Sequence, residues 1–289
     1  MKVNFFIVGA PKAGTTSLHY YLDEHPNINM SSIKETNYFS HQEIKEQNLY
    51  YKVSSINTLD EYYALFQKKS KDILFGETSP SYLFYRDVAS KIKAYNSEAK
   101  IIIILRNPID RAYSHYLMDY RLGLVKSSFS DIINQRSIHK DSKLYYQQYI
   151  ELGNYSSQID RYYNEFSADQ ILILDYDDFI NDTHQAISRV FSFLSLDNFK
   201  ISNINNKYNS SIRPKNNFIK KIYSFRYLRK VFNSILPNNI KNLIHKTFFN
   251  KGGKILLAEK TREELKNLFK LEINKLEVLL KNDYSKWLK

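Results

Sequence analysis

Lys12 stands inside a short loop, Gly9-Ala10-Pro11-Lys12-Ala13-Gly14, which follows an apolar run (Phe5 to Val8) and precedes Thr15-Thr16-Ser17. Strand, glycine loop and helix in that order gather backbone N–H groups and the positive end of a helix dipole around one oxyanion. A nucleoside-triphosphate loop of the G-x-x-x-x-G-K-[ST] type carries its lysine directly after the second glycine. Here Thr15 takes that place, so the loop reads as an anion cradle with a different charge layout and suggests a different transferred group. A second charged position, Arg106, closes the apolar run Ile101 to Leu105, and Ser114 lies two helical turns beyond Asn107. No cysteine is present, which removes thiolate nucleophiles, disulfides and thiolate metal sites.

These side chains need a scaffold, and the chain predicts one. Strand signals fall at 5–8, 73–75, 101–105 and 171–174; helical patterns lie at 15–24, 88–95, 110–121, 145–166, 183–194 and 261–280. Alternation of this kind predicts an α/β fold, a P-loop-type parallel sheet flanked by helices on both faces. The sheet's carboxyl edge is where such folds bind ligands, and Arg106 stands at the end of its strand. Residues 37–70 and 122–144 read as insertions that shape a cleft. With 289 residues and 43% hydrophobic content, a single domain over 1–289 is expected.

The string Pro11 to Leu18 resembles the 5′-phosphosulfate loop of sulfotransferases that use 3′-phosphoadenosine 5′-phosphosulfate (PAPS). Residues 101–116 resemble that family's 3′-phosphate element, in which an arginine at a strand end and a serine on the next helix hold the phosphate; Arg106 and Ser114 match. Gly153-Asn154-Tyr155, the segment Gln170 to Phe179 and a C-terminal amphipathic helix ending near Trp287 follow the order of bacterial and glycan sulfotransferases. The resemblance implies PAPS as donor co-substrate, with Lys12, Ala13, Gly14, Thr15, Thr16 and Ser17 around its 5′ end. Arg106 and Ser114 are implied at its 3′-phosphate, and Lys12 neutralises the charge that moves. It implies no obligatory metal, in keeping with the lack of a His/Asp/Glu cluster at ligand spacing.

Ser32 to Phe39 resembles the lysine-glutamate-aromatic segment of glycan sulfotransferases, which implies Glu35 as the base toward an acceptor hydroxyl or amine. Glu77, His41 and His115 are the other candidates. Gly76 to Tyr82 matches a segment in which glycan N- and 3-O-sulfotransferases carry lysine after the glutamate; here that position is Thr78, so this chain either does without that lysine or supplies a cation from elsewhere, with Lys34 a candidate. The rival readings are a nucleotide-dependent kinase, with Asp175 imitating a magnesium ligand, and a non-enzymatic basic module that binds polyanions.

Charge is unevenly placed. Residues 1–199 carry 21 Lys+Arg against 24 Asp+Glu, whereas residues 200–289 carry 21 against 6, and none of the six falls between Asn198 and Ala258. That tract, punctuated by Pro214, Pro237 and Gly252-Gly253, is expected to form a basic helical cap over 198–258. Its field suits an anionic or lipid-linked saccharide acceptor, a glycolipid for example, or an anionic membrane surface. A merely solvated basic face is the plain alternative. Nucleic acid is not expected, since no recognition motif accompanies the charge. Met1-Lys2 precedes only a strand-length apolar run, and no stretch is long enough to span a bilayer, so the expected location is cytoplasmic, at most peripheral to the inner membrane face.

Overall fold

A computed structural model describes residues 2–53, 55–66, 73–202, 204 and 256–289, and the backbone alone of 212–214 and 249–251. Five strands, β1 (Phe5–Gly9), β2 (Ile28–Met30), β3 (Leu74–Thr78), β4 (Lys100–Leu105) and β5 (Ile171–Asp175), form a sheet of order β2-β3-β1-β4-β5. Every neighbouring pair is parallel. β1 is buried throughout, as is β4 from Ile101 to Leu105. This follows from their unbroken apolar runs, which only a sheet covered on both faces can hide. The chain leaves β1 toward β2 on one side and later reaches β4 on the other. The crevice beyond the ends of β1 and β4 is therefore the topological switch point of the sheet.

Helix α1 (Thr15–Asp23) follows β1. After β2 come α2 (His41–Gln47) and α3 (Leu59–Tyr63), the short helices of the first predicted insertion. α4 (Val88–Tyr95) links β3 to β4, and α5 (Pro108–Leu122) departs from β4. Asn107 caps α5 by accepting from the Ile109 amide at 3.0 Å, and Pro108 occupies its first turn. α6 (Phe129–Ile133) belongs to the second insertion. α7 (Ser142–Tyr149), α8 (Tyr155–Glu165), α9 (Tyr176–Asn181) and α10 (Thr183–Phe193) complete the series before a C-terminal helix, Glu259–Leu280.

Three expectations need correction. β2 carries only Ile-Asn-Met, too short for any alternation to show, and was not predicted as a strand. β3 runs on to Thr78, past the predicted end at residue 75. Gly76 belongs inside it because an added Cβ would meet the Phe5 ring at 2.2 Å and the Met30 sulfur at 2.6 Å. The single helix predicted over 145–166 is two helices separated by a 3-10 turn, Glu151–Gly153. Buried Arg111 donates to the carbonyls of Gln148 (3.1 Å) and Tyr149 (2.6 Å), closing α7 with a cation at its negative end.

The expected cap over 198–258 falls mostly outside the described residues, where the backbone seen is an antiparallel pair, Ile212–Pro214 with Phe249–Lys251. Among the described residues no helix is long and apolar enough to cross a membrane.

Candidate active site

The loop after β1 is held by two backbone bonds, Ala10 N–H to the Ile104 carbonyl (2.8 Å) and Ala13 N–H to the Ala10 carbonyl (3.1 Å). Lys12 and Gly14 both adopt positive φ, 71° and 88°. At Gly14 a side chain would crowd the rings of Phe179 (3.2 Å) and Tyr176 (3.3 Å). Gly14 is the N-cap of α1, and no side chain caps its first turn. No acidic residue stands in that first turn, which leaves its amides and the positive end of the helix dipole available to an anion.

Arg106 emerges from the end of β4 and turns toward this loop. Its Nη1 donates to the Lys12 carbonyl at 2.8 Å, and its guanidinium lies 4.6 Å above the Tyr176 ring. Tyr155 donates to the Arg106 carbonyl at 2.9 Å, and Asn107 donates to the Trp287 carbonyl at 3.2 Å. A buried tyrosine and the chain's buried C-terminal tryptophan thus fix the strand end. Ser114, Met118 and Arg121 share one face of α5, at spacings of four and three residues. The Lys12 ammonium donates to the Met118 sulfur at 3.3 Å, a weak acceptor that an anion displaces readily. Burial lowers the Lys12 pKa to about 8, with Arg121 and then Arg106 adding repulsion; Asp119 and Glu35 act in the opposite sense. Arg121 and Asp119 escaped the sequence reading. The heptad offset of residue 121 from Ser114 was the available signal.

Glu35 lies beyond β2 in a left-handed backbone conformation, φ 64°, with its amide bonded to the Thr78 carbonyl at 2.8 Å. Its side chain is 54% exposed and pairs with the better-covered Lys34. Lys34 is therefore the direct partner of Glu35.

The remaining candidates are otherwise engaged. Glu77 is fully buried and accepts from Thr36, Ser79, Tyr62 and Tyr82, so it cannot meet an acceptor as a base. His115 is buried and donates from Nδ1 to the Gln148 carbonyl at 3.1 Å; burial drives its pKa far down and keeps it neutral. His41 bonds Ser55 through Nδ1 at 2.7 Å. Asp175 caps α9 through the Asp177 amide (2.9 Å) and pairs with Lys286 at 3.3 Å, which occupies the carboxylate that the kinase reading required. Thr78, where a lysine was anticipated from the resemblance, is sealed against His19 Nδ1 at 3.0 Å; burial lowers the pKa of that histidine to about 4. Among the described residues no group of His, Cys, Asp and Glu could hold a metal ion.

Comparison with known proteins identifies the family. A family model described as a sulfotransferase domain matches residues 2–230. A sulfotransferase of known structure from Alicyclobacillus acidocaldarius superposes with a TM-score of 0.71 at 26% identity, covering 100% of both chains. Carbohydrate sulfotransferase 15 of Mus musculus is 24% identical over 244 residues, 67% of this chain and 44% of that protein. The membrane-associated sulfotransferase kil1 of Dictyostelium discoideum is 34% identical over 113 residues, 39% of this chain and 22% of the relative. The chain thus spans less than half the length of these two curated relatives.

Proposed function

The chain belongs to the sulfotransferase family, and on that premise we propose that it moves the sulfuryl group of PAPS to a hydroxyl or amine of a saccharide acceptor. One observation carries the reading: the Arg106 guanidinium reaches the loop that holds Lys12, 2.8 Å from its carbonyl, so cations from two strand tips converge on one crevice. A donor with phosphate at both ends of its nucleoside needs that pairing; a nucleoside triphosphate does not. The first turn of α1 and Lys12 suit the 5′ end of the donor, and Arg106 with Ser114 the 3′-phosphate.

The transfer itself is an in-line displacement. The acceptor oxygen or nitrogen forms a bond to sulfur as the bond from sulfur to the 5′-phosphate oxygen breaks, and PAP (3′,5′-bisphosphoadenosine) leaves. Lys12 stabilises the negative charge that gathers on the departing phosphate, and Arg121, close enough to repel the Lys12 ammonium, adds a second cation beside it. Glu35, exposed and near enough to Lys12 to act on its ionisation, takes the acceptor's proton. A saccharide acceptor is supported by the names of the carbohydrate relative above and of the mouse heparan sulfate N-deacetylase/N-sulfotransferase 4, 28% identical over 196 residues.

Thermal-shift titration tests the donor half. Selective stabilisation by PAP over ADP with Mg²⁺, lost in Arg106→Ala, is the expected result, and a preference for ADP with Mg²⁺ would defeat it. A screen of glycans with sulfur-labelled PAPS identifies the acceptor.

A further inference from the structure

Glu77 has no place in the transfer chemistry, yet four hydroxyl groups are spent on it. Its carboxylate is 0% exposed. One oxygen accepts from Thr36 and Ser79, both at 2.6 Å; the other accepts from Tyr62 at 2.8 Å and Tyr82 at 3.2 Å. Burial raises the pKa of Glu77, while the four hydroxyl bonds act against that rise and favour the charged form. In that form the carboxylate is acceptor-only, and each hydroxyl has a single proton. Donating that proton inward leaves the hydroxyl's lone pairs turned outward.

Three of those hydroxyls then receive consecutive backbone amides. Asn37 N–H donates to Ser79 Oγ at 3.1 Å, Tyr38 N–H to Thr36 Oγ1 at 3.3 Å, and Phe39 N–H to the Tyr82 hydroxyl at 3.2 Å. The Glu35 amide is held by the Thr78 carbonyl. The segment so gripped contains two residues at positive φ, Glu35 at 64° and Asn37 at 52°, a conformation that costs non-glycine residues free energy and persists only where the surroundings impose it.

We infer that Glu77 is a positioning residue: its charge orients the hydroxyls of Thr36, Ser79 and Tyr82 so that they hold amides 37–39, and this lock keeps Glu35 aimed at the acceptor. The inference rests on the proposed role of Glu35 as base. A neutral amide at position 77 would offer its own protons to the hydroxyls and turn part of the lock around, with little change of shape.

The test compares wild type with Glu77→Gln, and with Thr36→Val, a milder lesion should the first variant fold poorly. Hydrogen exchange at amides 37–39 should quicken by about tenfold or more, while PAP affinity stays within about twofold, because the loop around Lys12 is untouched. Turnover of PAPS with chemically desulfated heparin, or with the best glycan of the screen, should fall by about 10- to 100-fold in kcat, the scale of a small misplacement. In a Glu35→Gln background, Thr36→Val should cost almost nothing further, since the lock would then be aiming nothing. Unchanged exchange at 37–39, unchanged kcat, or an equal loss in both backgrounds would each overturn the inference. Full turnover by Glu35→Gln alone would instead strike the base assignment, a failure seen without any change at position 77.

Discussion

Lys12 keeps its charge where charge is costly: in the left-handed region of the backbone, with the Met118 thioether as hydrogen-bond acceptor and two guanidinium groups repelling it. Its folded pKa of about 8 lies below the ordinary lysine value of 10.5, so below pH 8 the charged form destabilises the fold, and the penalty fades as pH rises toward 10.5. Lys12→Met should therefore raise the melting temperature of the free protein at pH 7 by about 2–5 °C while abolishing sulfuryl transfer. Calorimetry beside a turnover assay checks both halves. The same ionisation predicts an alkaline limb centred near pH 8 in kcat/KM for PAPS, shifted upward in Lys12→Arg. Glu35→Gln should lower kcat by about 10²- to 10⁴-fold and leave PAP binding intact, as read by rapid-quench turnover and calorimetric titration. The places of Lys12 in its loop and Arg106 at its strand end were legible in the sequence because both are local patterns. Glu77 was read as a spare base because nothing local shows four hydroxyls, three of them contributed by residues 36, 62 and 82, meeting on its carboxylate.

At the scale of elements, position depends on where side chains are left out. The Phe5 ring from β1 and the Met30 sulfur from β2 fold over Gly76 in β3, so only a missing side chain there leaves them room. Gly76→Ala should destabilise by about 1–3 kcal/mol in urea unfolding, by overpacking the sheet centre. Gly14→Ala is a different lesion, since its φ of 88° and the two rings of α9 oppose any side chain at the head of α1. It should cost PAP affinity more than stability, as paired titration and unfolding would show. The long runs of β1 and β4 were readable because a doubly covered strand is apolar throughout. β2 was missed because three residues carry no period, and the division between α7 and α8 because an apolar pattern continues across a cap made by Arg111 of another helix.

Across the whole molecule, the carboxyl edge of one parallel sheet collects β1, β4 and β5, and the C-terminus closes on it through Trp287 and Lys286. The acidic-to-basic contrast between residues 1–199 and 200–289 is a property of the chain, and we propose that the basic tract favours anionic acceptors. Replacing Lys220, Lys221, Arg229 and Lys230 by glutamine should raise KM for an anionic glycan severalfold and flatten its dependence on salt, without altering KM for a neutral one. Equal kinetics on both glycans would discard that role.

Sequence alone determined the fully apolar strands β1 and β4, the anion loop with its displaced lysine, and the family to which the chain belongs. Each is written in contiguous residues, where hydrophobic period, glycine spacing and charge act over a few positions. Only the tertiary structure decided which carboxylate stays in contact with solvent and which is buried beneath four hydroxyls. It likewise decided which arginine meets the loop and which caps a helix. Those outcomes depend on burial and on partners 38–106 residues away in the chain, and a side chain's chemistry is set by the neighbours that folding brings to it.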